Sequence, residues 1–550
     1  MRVQVDHSEV EWQFDAADVR PVERWLRARV PEARADPAQE APDGLPIAGE
    51  TLVVAEARPV THVDTYMDTP DWRIHRAGYS LRIRRERGVA QATLKSFSPP
   101  SEGLRRRREV SETLPSEDPE ELRRSEGPLG QRIRAVVGGT SLGPLFEVRT
   151  RRRAFDLTLD GAAAGEVVLD ETTIPVGNGS TPARLKRVEV EVQEPFMETV
   201  SGFVEAMRDE CGLRPASLSK YETALLSRGL QPDRPLELGP TLIDPTLSVG
   251  EVAFAVMRRH FEAFMAKEPG TRLGEDPEEL HDMRVANRRL RAAIAMFRTA
   301  LPVRAVPIRE ELRWVAQALG VVRDLDVQVE QLDSWSKTDL VEDPHALRAI
   351  RDLLERDRAQ ARIELLKVLD SPRYARLLGR MSRFLRAGPL RHSPASRARI
   401  AGAGSTLLRR RYRAVTKAGD GIGEGASAAD YHRVRIRSKR LRYALEFLAE
   451  VYPGKTERLT RRLVALQGLL GMQQDADVAV RRLRALATEN GGGLPPRAAF
   501  AMGMIAERYV QQGRRLRGRF PKVYGRVRGK PSKELRLVMK QRMPVPAPPE

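Results

Sequence analysis

One cysteine, Cys211, occurs in the 550 residues. It excludes an intrachain disulfide and a Cys-rich zinc site, and it reads as a small core residue in a reducing compartment. Aromatic residues are also scarce, with 14 Phe, 10 Tyr and 5 Trp. Single-stranded nucleic acid is held by stacking bases on aromatic rings, so this shortage argues against an RNA or DNA partner. No run of about 18 apolar residues exists, and the N-terminus lacks the apolar core of a signal peptide. The expectation is a soluble, cytoplasmic protein with no membrane partner.

What is abundant is charge, and it is divided unevenly. Residues 1–240 carry 34 Lys+Arg against 40 Asp+Glu, net −6, while residues 241–550 carry 60 against 35, net +25. Two chemically different modules follow, the second suited to a polyanion. An Arg-rich solubilising surface would give the same net charge, so the positions of the cations decide.

In the N-terminal part, strand signals recur at short spacing: 9–14, 51–66, 79–86, 90–95, 105–114, 146–159, 166–174 and 185–192. A helix capped by Asp15 is expected to run to about Val30, residues 31–50 read as a loop, and a helical stretch spans about 118–137. Many short strands in succession predict a mostly antiparallel sheet or closed barrel. Side chains alternate across a strand, so Glu9 shares a face with Glu11, Arg82 with Arg84, Arg107 with Glu109, Glu166 with Asp170, and Glu189 with Glu191. A sheet with one solvated face would read similarly. Here, however, carboxylates cluster on some strands and cations on others. If the charged face closes inward, it encloses acids able to hold a hard divalent cation and bases able to hold phosphates.

The string EVEWQF at 9–14 resembles the ExExK signature that opens CYTH domains, the triphosphate tunnel metalloenzyme family. The resemblance continues through GYSLRIRR at 78–85, Lys95, Arg107-x-Glu109, Arg152, Glu166-Val-Val-Leu-Asp170, VEVEV at 188–192 and Leu218-Ser-Lys220-Tyr. It implies an eight-stranded antiparallel barrel forming a tunnel. Carried over position by position, Glu9, Glu11, Glu166, Asp170, Glu189 and Glu191 would hold Mg2+ or Mn2+, with Glu9 or Glu11 orienting the attacking water. Arg82, Arg84, Lys95, Arg107, Arg152 and Lys220 would hold phosphates. The lysine that ends the signature is Gln13 here. An amide donates hydrogen bonds but brings no charge to a phosphoryl group.

The C-terminal part reads as long helices, and an eleven-residue stretch occurs in it twice. His281-Asp-Met-Arg284-Val-Ala-Asn-Arg288-Arg-Leu-Arg291 and His432-Arg-Val-Arg435-Ile-Arg-Ser-Lys439-Arg-Leu-Arg442 both fit H-x-x-R-[VI]-x-x-[RK]-R-L-R. On a helix the His and the cations three, seven and ten positions on lie within an arc of roughly 80°, opposite an apolar seam. Asp324 and Asp475, in GVVRDLDV and GMQQDADV, each follow their His by 43 residues, and the two copies are displaced by 151. A duplicated helical unit is the expectation. Neither His has another His or Cys at ligand spacing, so zinc is not expected. Each His either contacts phosphate or is held by an Asp of the paired motif.

These strings are similar to the CHAD family, named for histidines in an α-helical domain, whose helical bundles bind inorganic polyphosphate on a basic surface. The expected architecture is therefore a multidomain α+β chain: a CYTH-like barrel at 1–232, a linker at 233–245, a CHAD-like all-α domain of two duplicated helical bundles at 246–522, and a basic, Pro-rich tail at 523–550. The resemblance implies metal-dependent hydrolysis of inorganic triphosphate or short polyphosphate. The polyphosphate sites would be His281, Arg284, Arg288, Arg291, His432, Arg435, Lys439 and Arg442. The alternatives are a non-catalytic polyphosphate-binding or granule-associated protein and, from the breadth of the CYTH family, an adenylate cyclase, although no residue pattern selects an adenine base.

Overall fold

The charge alternation along the N-terminal strands builds a barrel turned inside out, with charged residues inward and apolar residues outward under helices. The computed structural model describes residues 4–30, 45–47, 50–86, 89–99, 101–176, 181–232, 237–336, 344–489 and 495–529, divided into two units, Met1–Arg234 and Pro235–Glu550. The strands are β1 (Gln4–Asp15), β2 (Leu45–Ile47), β3 (Glu50–Glu56), β4 (Val60–Asp68), β5 (Tyr79–Glu86), β6 (Val89–Ser96), β7 (Leu104–Leu114), β8 (Gly143–Leu159), β9 (Ala162–Ile174), β10 (Ala183–Val192) and β11 (Arg214–Pro215). Eight of them pair antiparallel in the order β8-β4-β5-β6-β7-β1-β10-β9, and β9 pairs back onto β8 to close the ring. β3 follows the second part of β8, from Leu52↔Leu159 to Glu56↔Phe155, with β2 beyond it. β8 and β9 are joined by Asp160-Gly161, both at positive φ (47° and 82°), the geometry of a tight hairpin turn.

Helices α1 (Arg20–Arg27), α2 (Arg73–Arg76), α3 (Pro119–Arg124), α4 (Pro128–Val137), α5 (Met197–Cys211) and α6 (Lys220–Ser227) decorate the barrel. The outward side chains Val10 and Phe14 of β1, Val167 and Leu169 of β9, and Val188 and Val190 of β10 pack with Leu26 of α1 and Phe203 and Met207 of α5. Parity therefore leaves Glu9, Glu11, Gln13, Glu166, Asp170, Glu189 and Glu191 on the inner side.

Several local expectations are corrected. Asp15 ends β1 and caps no helix; α1 begins at Arg20 behind Val19, with Pro21 in its first turn. The strand expected over 51–66 is two strands separated at 57–59, where Pro59 has no N–H for a ladder. The helix expected over 118–137 breaks between α3 and α4, because Pro128 disfavours a helical Gly127. Most of the loop expected over 31–50 lies outside the described residues.

The second unit, within the described residues, is helical. Its elements are α7 (Val249–Leu273), α8 (Pro277–Met296), α9 (Ala305–Ser336), α10 (Pro344–Asp370), α11 (Pro372–Ala387), α12 (Pro394–Arg397), α13 (Ile400–Gly419), α14 (Ala428–Phe447), α15 (Glu457–Glu489) and α16 (Pro496–Arg528). The set α7–α10 recurs as α13–α16, with starts displaced by 151 or 152 residues. Capping boxes start α7 (Ser248, Glu251) and α14 (Ser427, Asp430). Between α12 and α13, at 398–399, the chain pairs with 247–249 through Val249 N–H to Ala398 O and Ile400 N–H to Leu247 O.

The two repeats share their cores. Met283, Leu290 and Ile294 of α8 belong to the same cluster as Val434, Leu441 and Leu445 of α14. A second cluster joins Leu325 and Ile350 of the first repeat to Leu483 and Met502 of the second. Burial of one repeat's apolar surface depends on the other. Helix α16 continues to Arg528, six residues into the stretch expected as tail, and the Pro-rich end at 543–550 lies outside the described residues. No described helix is long and apolar enough to cross a membrane.

Candidate functional site

Inside the barrel, acids and bases are paired across strands. Lys95 of β6 donates to both oxygens of Glu9 on β1, at 2.7 and 2.9 Å, and lies 2.8 Å from Glu109 of β7. Arg107 of β7 is ion-paired with Glu11. Arg152 of β8 forms a two-pronged pair with Asp170 of β9, at 2.9 and 2.8 Å, and reaches Glu189 at 3.3 Å. Lys220, the first residue of α6, adds a 2.7 Å bond to Asp170. Arg84 of β5 makes the same two-pronged contact with Asp64 of β4, at 2.7 and 3.0 Å, with Arg82 at 3.7 Å. Every residue expected in the tunnel is thus placed by a barrel strand or by the start of α6.

The fields inside follow from these pairs. Burial alone would raise the Asp64 and Asp170 carboxyls, but Arg82 and Arg84 in one case, and Lys220 and Arg152 in the other, outweigh it and hold both well below the carboxylate range. Burial opposes the charge on Lys95, yet Glu9 and Glu109 raise its ammonium above the usual lysine value. Glu191 behaves in the opposite way. Burial, then Glu9, with Glu166 further down, push its carboxyl up to about 7. The Glu166 part of this is visible in the register, where Glu191 stands directly across from Glu166 of β9, and Glu11 of β1 and Asp156 of β8 extend the same row.

That row is a set of hard oxygen donors with surplus negative charge, the donor chemistry that Mg2+ or Mn2+ takes. Glu191 and Glu166 fit such an ion best, because Glu9 and Glu11 are already engaged by Lys95 and Arg107. Among the described residues no three acids or imidazoles converge on one point.

Gln13 is buried on the inner face, its amide Nε2 donating to Glu189 Oε1 at 3.3 Å. The sequence reading omits two buried cations near it, Arg105 of β7 and Arg187 of β10. Each shares the parity of recognised site residues, Arg107 and Glu189 respectively, and that parity is the signal that identifies them. Asp64 is the third omission.

In the helical unit the two motif copies lie on α8 and α14, which pack together. Lys439 sits among Arg435, Arg288, Arg284 and Arg442, and burial followed by these four lowers its ammonium to about 7. Arg288 and Arg442 both lie over the Tyr443 ring, at 5.8 and 5.1 Å from its centroid. Arg284 is 3.7 Å from Asp324. Gly320 of α9 and Gly471 of α15, 151 residues apart, lie beneath Arg284 and Arg435, with room for a Cβ at 3.9 and 3.8 Å. The structure therefore brings Arg284, Arg288, Arg435, Lys439 and Arg442 into one cationic cluster spanning both repeats.

The remaining motif residues stand apart from it. Arg291 lies in the field of Arg309 and Arg313. His432 Nδ1 is 2.8 Å from Gln474 Oε1, so its partner is the residue at the position of Arg323 in the first copy, and the expected Asp does not hold it. His281 begins its motif on α8 beside the exposed Asp282.

Comparison with known proteins finds two modules in the same order along the chain. The CYTH domain profile matches residues 29–224 and the CHAD domain profile residues 255–484. Uncharacterized proteins from two strains of Mycobacterium tuberculosis are 25% identical over 248 residues, 44% of this chain and 46% of theirs, so the match spans less than half the length of those relatives. The crystal structure of the CHAD domain from the plant Ricinus communis is 26% identical, covers 53% of this chain and 96% of its own, and superposes with a TM-score of 0.46. PptA from Streptomyces chartreusis is 20% identical over 50% of this chain and 99% of its own, with a TM-score of 0.41. The chain therefore carries a CYTH domain at 29–224 followed by a CHAD domain at 255–484.

Proposed function

We propose that the barrel hydrolyses inorganic triphosphate or short polyphosphate ends with Mg2+ or Mn2+, and that the helical unit binds inorganic polyphosphate. The observation that carries this reading is the closed barrel whose inner face holds a row of carboxylates together with the cations Arg82, Arg84, Lys95, Arg107, Arg152 and Lys220, of which Arg84, Arg107 and Lys220 are buried.

A divalent ion held by the carboxylate row would draw electron density from the phosphoryl oxygens and stabilise developing charge. The cations hold the phosphate chain and fix it in line with the attacking water. Water adds to the terminal phosphorus and the bond to the bridging oxygen breaks, leaving orthophosphate and a chain shorter by one phosphate. Glu9 or Glu11 orients the water. Each oxygen now shared with Lys95 or Arg107 is then exchanged, the cation turning to a phosphate and the carboxylate to water. Binding at the α8–α14 cluster is consistent with association with polyphosphate granules.

A second reading, a tunnel that binds without turnover, is favoured by the uncharged Gln13 bonded to Glu189. Phosphate release from tripolyphosphate with Mg2+ or Mn2+ separates the two. Release above that of Glu11→Ala supports hydrolysis; release equal to it leaves a binding protein. Adenylate cyclase activity is tested by the same protein with ATP, reading cyclic AMP.

A further inference from the structure

We propose that Arg187 supplies the cationic phosphate contact that position 13 lacks, making it a substrate-binding residue of the barrel. The inference rests on the phosphate-binding reading of the barrel and extends it to a residue outside the family resemblance.

Arg187 lies on β10 with the parity of Glu189 and Glu191, so it belongs to the charged inner face. It is 1% exposed. In register it faces Asp15 of β1 on one side and Asp170 of β9 on the other. Gln13 faces Glu189, one inward position along, which makes Arg187 and Gln13 diagonal neighbours on adjacent strands, within reach of a long side chain. The fields agree with the register, since Arg187 acts on both Glu189 and Arg105.

The hydrogen bonding of Arg187 is incomplete. Its Nη2 donates to Asp15 at 2.7 Å, while the buried Nε and Nη1 have no hydrogen-bond partner among the described residues. A buried donor without an acceptor loses its hydration uncompensated, so two on one guanidinium need a physical reason. A phosphoryl group supplies one: its oxygens accept from two guanidinium nitrogens at once, a fork that a lysine ammonium cannot reproduce. Beside it, Gln13 Oε1 is likewise buried without a partner. An amide at 13 places no second positive charge against Arg187. The cation of the family signature has in effect moved from β1 to β10.

The rival explanation is a structural Arg187–Asp15 pair, and the test separates them. Tripolyphosphate is titrated calorimetrically, without metal, into full-length protein carrying Arg288→Gln and Lys439→Gln, which weaken the helical cluster so that the barrel is read. Arg187→Gln should weaken binding about tenfold, the loss of one charge-assisted contact. Gln13→Lys added to Arg187→Gln should restore most of it. Asp15→Asn, which removes the pair but keeps the guanidinium, should leave binding unchanged.

Unaltered binding in Arg187→Gln overturns the proposal and leaves the barrel's function standing. An equal loss in Asp15→Asn, or no rescue by Gln13→Lys, assigns Arg187 to structure and also overturns it. Absence of any barrel binding in the starting protein removes the functional reading and this inference together. Should Arg187→Gln not fold, Arg187→Lys with and without Gln13→Lys decides: Lys at 187 keeps charge without the fork, so weakening about threefold supports the contact and none overturns it.

Discussion

Glu191 of β10 stands directly across from Glu166 of β9, and no salt bridge to either is found among the described residues. Like charges placed opposite each other destabilise a sheet by roughly 0.2–1 kcal/mol. Glu191→Gln should therefore raise the thermal midpoint of metal-free protein. Mg2+ or Mn2+ should stabilise the native protein by binding the folded state alone, and should stabilise Glu191→Gln less. Thermal melts with chelator and with metal make the comparison. A lower midpoint for Glu191→Gln in chelator would show that the opposition carries no strain.

Asp64 is the counter-charge for Arg84 and Arg82 in the barrel interior, fully buried itself. Removing it strands the buried Arg84 guanidinium and takes a counter-charge from Arg82, so Asp64→Ala should cost about 3–5 kcal/mol of barrel stability, measured by denaturant unfolding. The pH sign follows from its depressed carboxyl. Asp64 contributes stability above the unfolded value of 3.8, and the contribution is lost as pH falls below it toward the lower folded value. Native protein should weaken across that acid window, and Asp64→Ala should lose the part of the slope that Asp64 supplies.

The barrel's inner face is legible in the sequence because parity along β1 and β10 puts Glu9, Glu11, Glu189 and Glu191 on one side. The same parity includes Arg187, but between Lys186 and Val188, after Arg184, it reads as one cation of a solvated run. The pairs Lys95–Glu9 and Arg152–Asp170 depend on closure and register, which join residues 86 and 18 positions apart, and local pattern does not encode either. In the helical unit the 151-residue displacement is legible from two strings. The shared cores are not, because a cluster such as the one that holds both Leu325 and Leu483 is built from four helices. Pro59 and Pro128 explain two boundaries misplaced by periodicity alone.

Tyr443 lies buried at the centre of the cationic cluster, its ring beneath Arg288 and Arg442. The aromatic face lets guanidinium groups gather with less mutual repulsion, each contact worth about 0.5–2 kcal/mol. Tyr443→Phe keeps the face and removes a hydroxyl that has no partner among the described residues, so polyphosphate affinity should be unchanged. Tyr443→Leu keeps much of the apolar volume but removes the face, and affinity should fall several-fold. Equal affinities for the two variants would dismiss the ring's electronic role.

Polyphosphate bound at the α8–α14 cluster should show a pH dependence set by Lys439. Arg284 and Arg288 of α8, Arg435 and Arg442 of its own helix and Asp475 of α15 surround it, and burial with the four guanidinium groups places its ammonium near 7 against 10.5 in the unfolded chain. Between those values the unfolded chain holds more protons than the fold, so this group's contribution to stability rises with pH there. A bound polyanion reverses the local field and raises the lysine's affinity for a proton. Long-chain polyphosphate should therefore bind more tightly at pH 6 than at pH 9. At pH 8 binding should take up close to one proton, measured by calorimetry in two buffers of different ionisation enthalpy. Lys439→Arg keeps the charge at all these pH values, so it should retain binding at pH 9 and abolish the uptake. Proton uptake unchanged in Lys439→Arg would assign the titration to another group.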